Sequence, residues 1–163
     1  MLDRQRLREH HTEVSYLLGR FMTEHLVRVN QAFGGDLTAA VVLGVIAHYH
    51  LRRFYDEVAA RSDEGLHALI TKGAHTDFLR PCNAMSVSAS TGIPRETVRR
   101  KIAWLMEKGW IQKAGRDKLL VTSQARHDFA DFDLEALDRF YDTASRILPL
   151  LTPRPPGTGP RRT

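Results

Sequence analysis

Residues 92–102 read GIPRETVRRKI, and how this stretch is read decides the fold. Gly92 and Pro94 are two kinds of punctuation. Glycine closes a helix easily because no Cβ resists left-handed backbone, whereas a proline is tolerated in a first helical turn because its missing N–H has no helical partner there. The segment NAMSVSAST at 83–91 therefore ends at Gly92, and a second helix starts at about Pro94. Val98, Ile102, Leu105 and Met106 follow at i, i+4, i+7 and i+8, the spacing of one inward helical stripe, and Gly109 closes it.

Beyond Gly109, WIQK at 110–113 and KLLVT at 118–122 are two β-leaning runs separated by AGRD. The Gly and Asp of that spacer suit a hairpin turn. The order is thus helix, tight turn, helix, hairpin.

The second helix is strongly basic outside its inward stripe. Arg95, Glu96, Arg99, Arg100 and Ala103 lie on its outer arcs near the N-terminal end. Over residues 81–126 nine basic residues meet three acidic ones, a local +6 that exceeds the +5 of the whole chain. All of the net charge is therefore in this segment, and an excess of that sign favours a polyanionic partner. An arginine fork can donate two parallel hydrogen bonds to guanine O6 and N7, and a carboxylate can accept from cytosine N4. Arg95, Glu96, Arg99 and Arg100 are accordingly the candidate base readers of a double-stranded DNA partner. Thr97 and Lys101 fit phosphate, and Lys113, Arg116 and Lys118, at or beside the hairpin tip, suit the sugar-phosphate backbone.

These residues also carry a resemblance. IPRETVRRKIAWLMEKGWI looks like the recognition helix and following strand of winged helix-turn-helix transcription regulators, and RETVRR is similar to that helix in the Crp/Fnr family. The resemblance implies base reading at Arg95, Glu96 and Arg100, a phosphate contact at Thr97 and a core position at Val98. No β-rich cyclic-nucleotide domain precedes the segment; two helices do. Helices on both sides of such a core resemble the MarR family, and GRDKLLVTSQAR resembles that family's wing and the start of its next helix. Where the MarR wing usually carries Asp-x-Arg, this chain has Arg116-Asp117-Lys118. Likeness to MarR implies a homodimer joined through terminal helices.

Those flanking helices are readable from periodicity. Val14, Leu17, Leu18, Phe21, Met22, Val29 and Phe33 recur at helical spacing from Thr12, a candidate N-cap, until Gly34 and Gly35. Asp36 is placed to cap the next helix, which runs to about Ala60 and is apolar on nearly every side in its first half. Residues 66–80 carry little pattern beyond Leu66, Leu69 and Ile70, which can form one short helix. From about Asp128 to Pro149 a further helix carries Phe132, Leu137, Phe140, Tyr141, Ala144, Ile147 and Leu148, the candidate dimer interface. LTPRPPGTGPRRT at 151–163 has no apolar periodicity and reads as a disordered basic tail.

The expected division is 1–65 for the N-terminal helices, 66–126 for the winged helix-turn-helix, 127–150 for the C-terminal helix and 151–163 for the tail. The fold class is mainly α, with a small β-hairpin. The most apolar stretch, LTAAVVLGVIA at 37–47, is too short for a membrane span. No secretory signal is visible at the N-terminus, and the single Cys82 excludes an intrachain disulfide, which together point to the cytoplasm and, with DNA as partner, to the nucleoid. That cysteine reads as a small buried apolar residue, although a lowered pKa would make it a redox switch. His48 and His50 at i, i+2 point apart, and neither HExxH nor a cysteine pair occurs, so no metal and no cofactor are expected. No set of nucleophile, base and metal ligands emerges, so an enzyme is disfavoured. No residue marks a small-molecule effector site. The expected function is sequence-specific regulation of transcription by a homodimer. The rival is a winged-helix protein-interaction module in a replication or chromosome-partition assembly, which has no need of a Glu96 flanked by arginines.

Overall fold

A computed structural model describes residues 3–58, 82–115 and 118–152. The expectations for residues 66–80, for Arg116 and Asp117 and for the tail from 153 lie outside them. The described chain is mainly helical, with one two-stranded sheet, and no single described helix is long and apolar enough to cross a membrane. It divides into two compact units, one made of the residues up to Val29 and from Ala130 onward, the other of Asn30–Phe129. This division differs from the expected one, because the helix that Asp36 begins groups with the hairpin and not with the N-terminal helices.

In the Asn30–Phe129 unit, helix α3 spans Leu37–Val58. Asp36 starts it by accepting a hydrogen bond from the Ala39 amide at 2.9 Å, as its short side chain and position predict. Helix α4 is Ala84–Thr91, with a reciprocal cap: the Asn83 side chain accepts from the Ser86 amide while the Ser86 hydroxyl accepts from the Asn83 amide. Gly92 then sits at φ 73°, left-handed backbone that an L side chain resists. Helix α5 is Arg95–Glu107, with Pro94 as the residue that caps it and not its first helical residue. Strands β1 (Ile111–Lys113) and β2 (Leu119–Val121) pair antiparallel, Gln112 opposite Leu120. The backbone extends this ladder at one point, since the Leu119 amide donates to the Cys82 carbonyl at 3.1 Å. Helix α6, Ser123–Asp128, starts on Thr122, whose hydroxyl accepts from the Ala125 amide and donates to the Gly109 carbonyl.

The core of this unit lies where α3, α4, α5 and the hairpin meet. Val42, Ile46, Cys82, Val87, Val98 and Leu105 are all fully buried there. Beside it Phe33, Trp110 and Phe129 pack ring against ring at centroid distances of 4.9–5.4 Å, and Trp104 meets Trp110 edge-on. The Trp110 indole N–H is satisfied by Asp128 at 2.9 Å, as an indole at the edge of a core requires.

In the other unit the chain starts with a short helix α1, Arg4–Glu9, that the periodicity did not predict, because its residues are almost all polar. Asp3 makes it, accepting from the Gln5 and Arg6 amides. Helix α2 is His11–Ala32, so Thr12 lies inside it and does not cap it. Helix α7 is Ala130–Leu151 and continues through Pro149, where the sequence predicted its end. The proline withdraws a single helical donor, and α1 takes up carbonyls at the helix end. Arg6 donates to the Leu150 and Pro149 carbonyls, and the Asp3 amide donates to that of Leu151. Helices α2 and α7 run antiparallel, with Phe21 against Phe140, His25 against Phe132, and Arg28 paired to Glu135 at 2.7 Å.

Candidate nucleic-acid interface

The arcs of α5 face different surroundings. Its apolar stripe, Val98, Ile102 and Leu105, is in the core, as its spacing predicts. On one flank Lys101 reaches Asp36, the cap of α3, at 2.5 Å, with both side chains mostly covered. Burial pushes the Asp36 carboxyl up, but the Lys101 hydrogen bond, the Ala39 amide and the charges of Lys101 and Arg100 together outweigh it and hold the group below the usual aspartate range. The ammonium of Lys101, expected to touch phosphate, is thus engaged inside the protein.

On the other flank α5 forms one wall of a groove of about 630 Å³. Arg95 and Arg99 line that wall, and Lys113 and Lys118 of the hairpin line the opposite one. Ile102, Ala103, Met106 and Leu119 contribute its apolar surface, and Asn83, Ala84 and Met85 bring in the start of α4. Among the described residues four cations and no carboxylate line this groove. In such a concave setting like charges reinforce one another and raise the local concentration of anions.

Glu96 and Arg100 are exposed on the arc next to the groove and do not line it. Glu96 makes a loose ion pair with Arg99 at 3.5 Å, exposed on both sides and so weakly held in water. Thr97 is partly covered in the first turn of α5. No described side chain caps that turn, and the positive end of the helix dipole there favours an anionic acceptor. The sequence reading thus named both cationic walls but not Met85 as groove surface, set Ala103 only on an outer arc, and assigned to the inward stripe Met106, which lines the groove. The signal available for the last two was their position, four and seven residues after Arg99 on the same arc. Met85 had none, because it arrives from a different helix.

Cys82 is fully buried, and that burial pushes its thiol up to about 11, against the lowered value a redox switch requires. Among the described residues no group of three His, Cys, Asp or Glu side chains comes together to hold a metal ion.

The candidate dimer residues of α7 separate into two sets. Phe132 and Phe140 pack on α2 through His25 and Phe21, although Phe140 stays half exposed, and Ala144 and Ile147 are partly covered. Leu137, Tyr141 and Leu148 are exposed, as is Leu134, which the sequence reading did not name. Compared with family models, curated proteins and solved structures, the chain matches none.

Proposed function

We propose that the chain is a winged helix-turn-helix regulator that binds duplex DNA and acts on transcription as a homodimer. The observation that carries this reading is the groove between α5 and the hairpin, with Arg95, Arg99, Lys113 and Lys118 on its walls and no carboxylate among the described residues that line it. The order of the described elements supports it: Leu37–Val58, then two helices joined by a turn at Gly92, then a hairpin to which Cys82 adds one rung. In this reading α5 enters the major groove. Arg95 and Arg99 meet base edges or phosphates from the cleft side, Glu96 and Arg100 do so from the adjacent arc, and Lys113 and Lys118 follow the backbone. The uncapped first turn of α5 suits a phosphate oxygen. The exposed side chains of α7 supply the contact between copies.

The test is selection of bound sequences from a random duplex pool, followed by titration of the winner and of scrambled DNA at two salt concentrations. A two-fold-symmetric winner that keeps its advantage at the higher salt is the expected result. Arg99→Ala should weaken binding to the winner by about 5- to 150-fold, the worth of one good arginine contact to a base. Equal, weak and salt-erased binding to both duplexes would overturn the reading in favour of a protein-interaction module.

A further inference from the structure

Helix α7 carries an apolar seam that the described residues leave largely uncovered. Leu134, Leu137, Tyr141, Ala144 and Leu148 follow one another at alternating intervals of three and four residues, and Ala130 and Leu151 continue the series at either end. That alternation is the a/d pattern of a coiled coil, in which each side chain fits between four of a facing helix. Leu134, Leu137, Tyr141 and Leu148 are 64%, 63%, 76% and 52% exposed. The arc pointing the opposite way holds Phe132 and Arg139, which meet α2 through His25 and Glu24. At roughly 100 Å² apiece, the four seam side chains and half-exposed Phe140 offer about 500 Å², over half of the ~800 Å² each partner contributes to a standard interface.

The geometry points to a second copy of the chain as the occupant, with the two α7 helices antiparallel and centred between Asp142 and Thr143. This rests on the reading above, in which α7 joins two copies, and it adds the direction and register. In an antiparallel pair each a residue faces a d residue of the other helix. Of the two antiparallel registers that align the seams, the one centred between Asp142 and Thr143 sets Leu137 against Leu148 and bulky Tyr141 against small Ala144, whereas the one centred on Arg139 would face Asp138 with Asp138. Every layer is then a Leu pair or a large side chain facing a small one, as close packing requires. The flanking positions agree: Phe140 comes opposite Ile147, and Asp138 comes opposite the uncharged Ser145. A parallel pair would stack Tyr141 on Tyr141 and Ala144 on Ala144, a crowded layer beside a void. It would also bring Asp133 of one helix beside Asp138 of the other, and like charges at those flanking positions oppose association.

Nitroxide labels on the full chain test this through the distance between copies. Asp131→Cys and Asp142→Cys each place a label at an exposed position outside the seam, and buried Cys82 stays in place because its raised thiol does not compete for the reagent. With a rise of 1.5 Å per residue, the antiparallel register separates the two Asp131 labels by roughly 35–40 Å and holds the two Asp142 labels within about 20 Å. That long–short combination is the expected result. Short distances at both positions would mean a parallel pair, overturning the register while leaving the dimer intact. Long distances at both would move the contact off α7. Absence of any coupling between copies in either variant would show a monomer and overturn the dimeric part of the functional reading as well.

Discussion

The two units divide apolar residues in opposite ways. In the Asn30–Phe129 unit large side chains such as Ile46, Val98 and Leu105 are fully buried, and the fold is closed by its own core. In the unit of α1, α2 and α7, Val14, Leu17 and Leu151 are buried, while Leu18, Met22 and Leu26 on α2 and Leu134, Leu137, Tyr141 and Leu148 on α7 remain exposed. Among the described residues the first unit exposes only Leu37, Val41 and Met85 of its large apolar side chains, whereas the second exposes a longer series along α2 and α7. In the proposed reading the exposed series on α7 is where two copies meet.

Three substitutions probe this contrast. Leu105→Ala removes the centre of the closed core and should cost about 2–5 kcal/mol in chemical denaturation, because the neighbours cannot collapse fully into the space. A loss below 1 kcal/mol would mean that this core is far looser than its burial implies.

Lys101→Met comes next, at about 1–3 kcal/mol at neutral pH, the worth of a hydrogen bond to a charged group with its partner left covered. This effect carries a pH signature. Because the folded Asp36 is held below its ordinary value, its contribution is fully present above the unfolded aspartate pKa of about 4 and is lost as the pH falls through the folded value. The parent chain should therefore lose more stability than Lys101→Met between pH 5 and pH 2. Parallel pH profiles for the two proteins would contradict the pairing.

The smallest effect belongs to the open unit. Leu137→Ala, measured in protein dilute enough to be monomeric, should shift stability by no more than about 0.5 kcal/mol, since an exposed side chain loses little on truncation. If it costs as much as Leu105→Ala, the seam is covered within the monomer and the contrast between the units fails.

Much of the closed unit was readable because its determinants are local. The Val98–Ile102–Leu105 stripe, the Asp36 cap, the Gly92 turn and the hairpin each declare themselves within a few residues. The engagement of Lys101 was not readable, since its partner lies 65 residues away in the chain and no short-range pattern links them. Helix α1 was missed because a polar helix has no apolar period and rests on the Asp3 cap and on contacts to the far end of the chain. Pro149 misled for the same reason: its local cost is real, but carbonyl partners supplied by Arg6 are invisible in the neighbouring sequence. In α7 the periodicity marked apolar positions correctly but merged two arcs, one facing α2 and one facing outward. A wheel cannot tell them apart without knowing where α2 sits.

The Lys101–Asp36 pair has a consequence for kinetics. By engaging the Lys101 ammonium on the flank of α5 that faces α3, it leaves Arg95 and Arg99 as cations on the groove side, so the described charge around the helix is weighted toward the cleft. In the proposed DNA-binding reading, a polyanion approaching from solution would be turned toward the cleft before it touches, and fewer encounters would be wasted on wrong orientations. Arrival rate, more than residence time, should then be the quantity that falls as ionic strength rises.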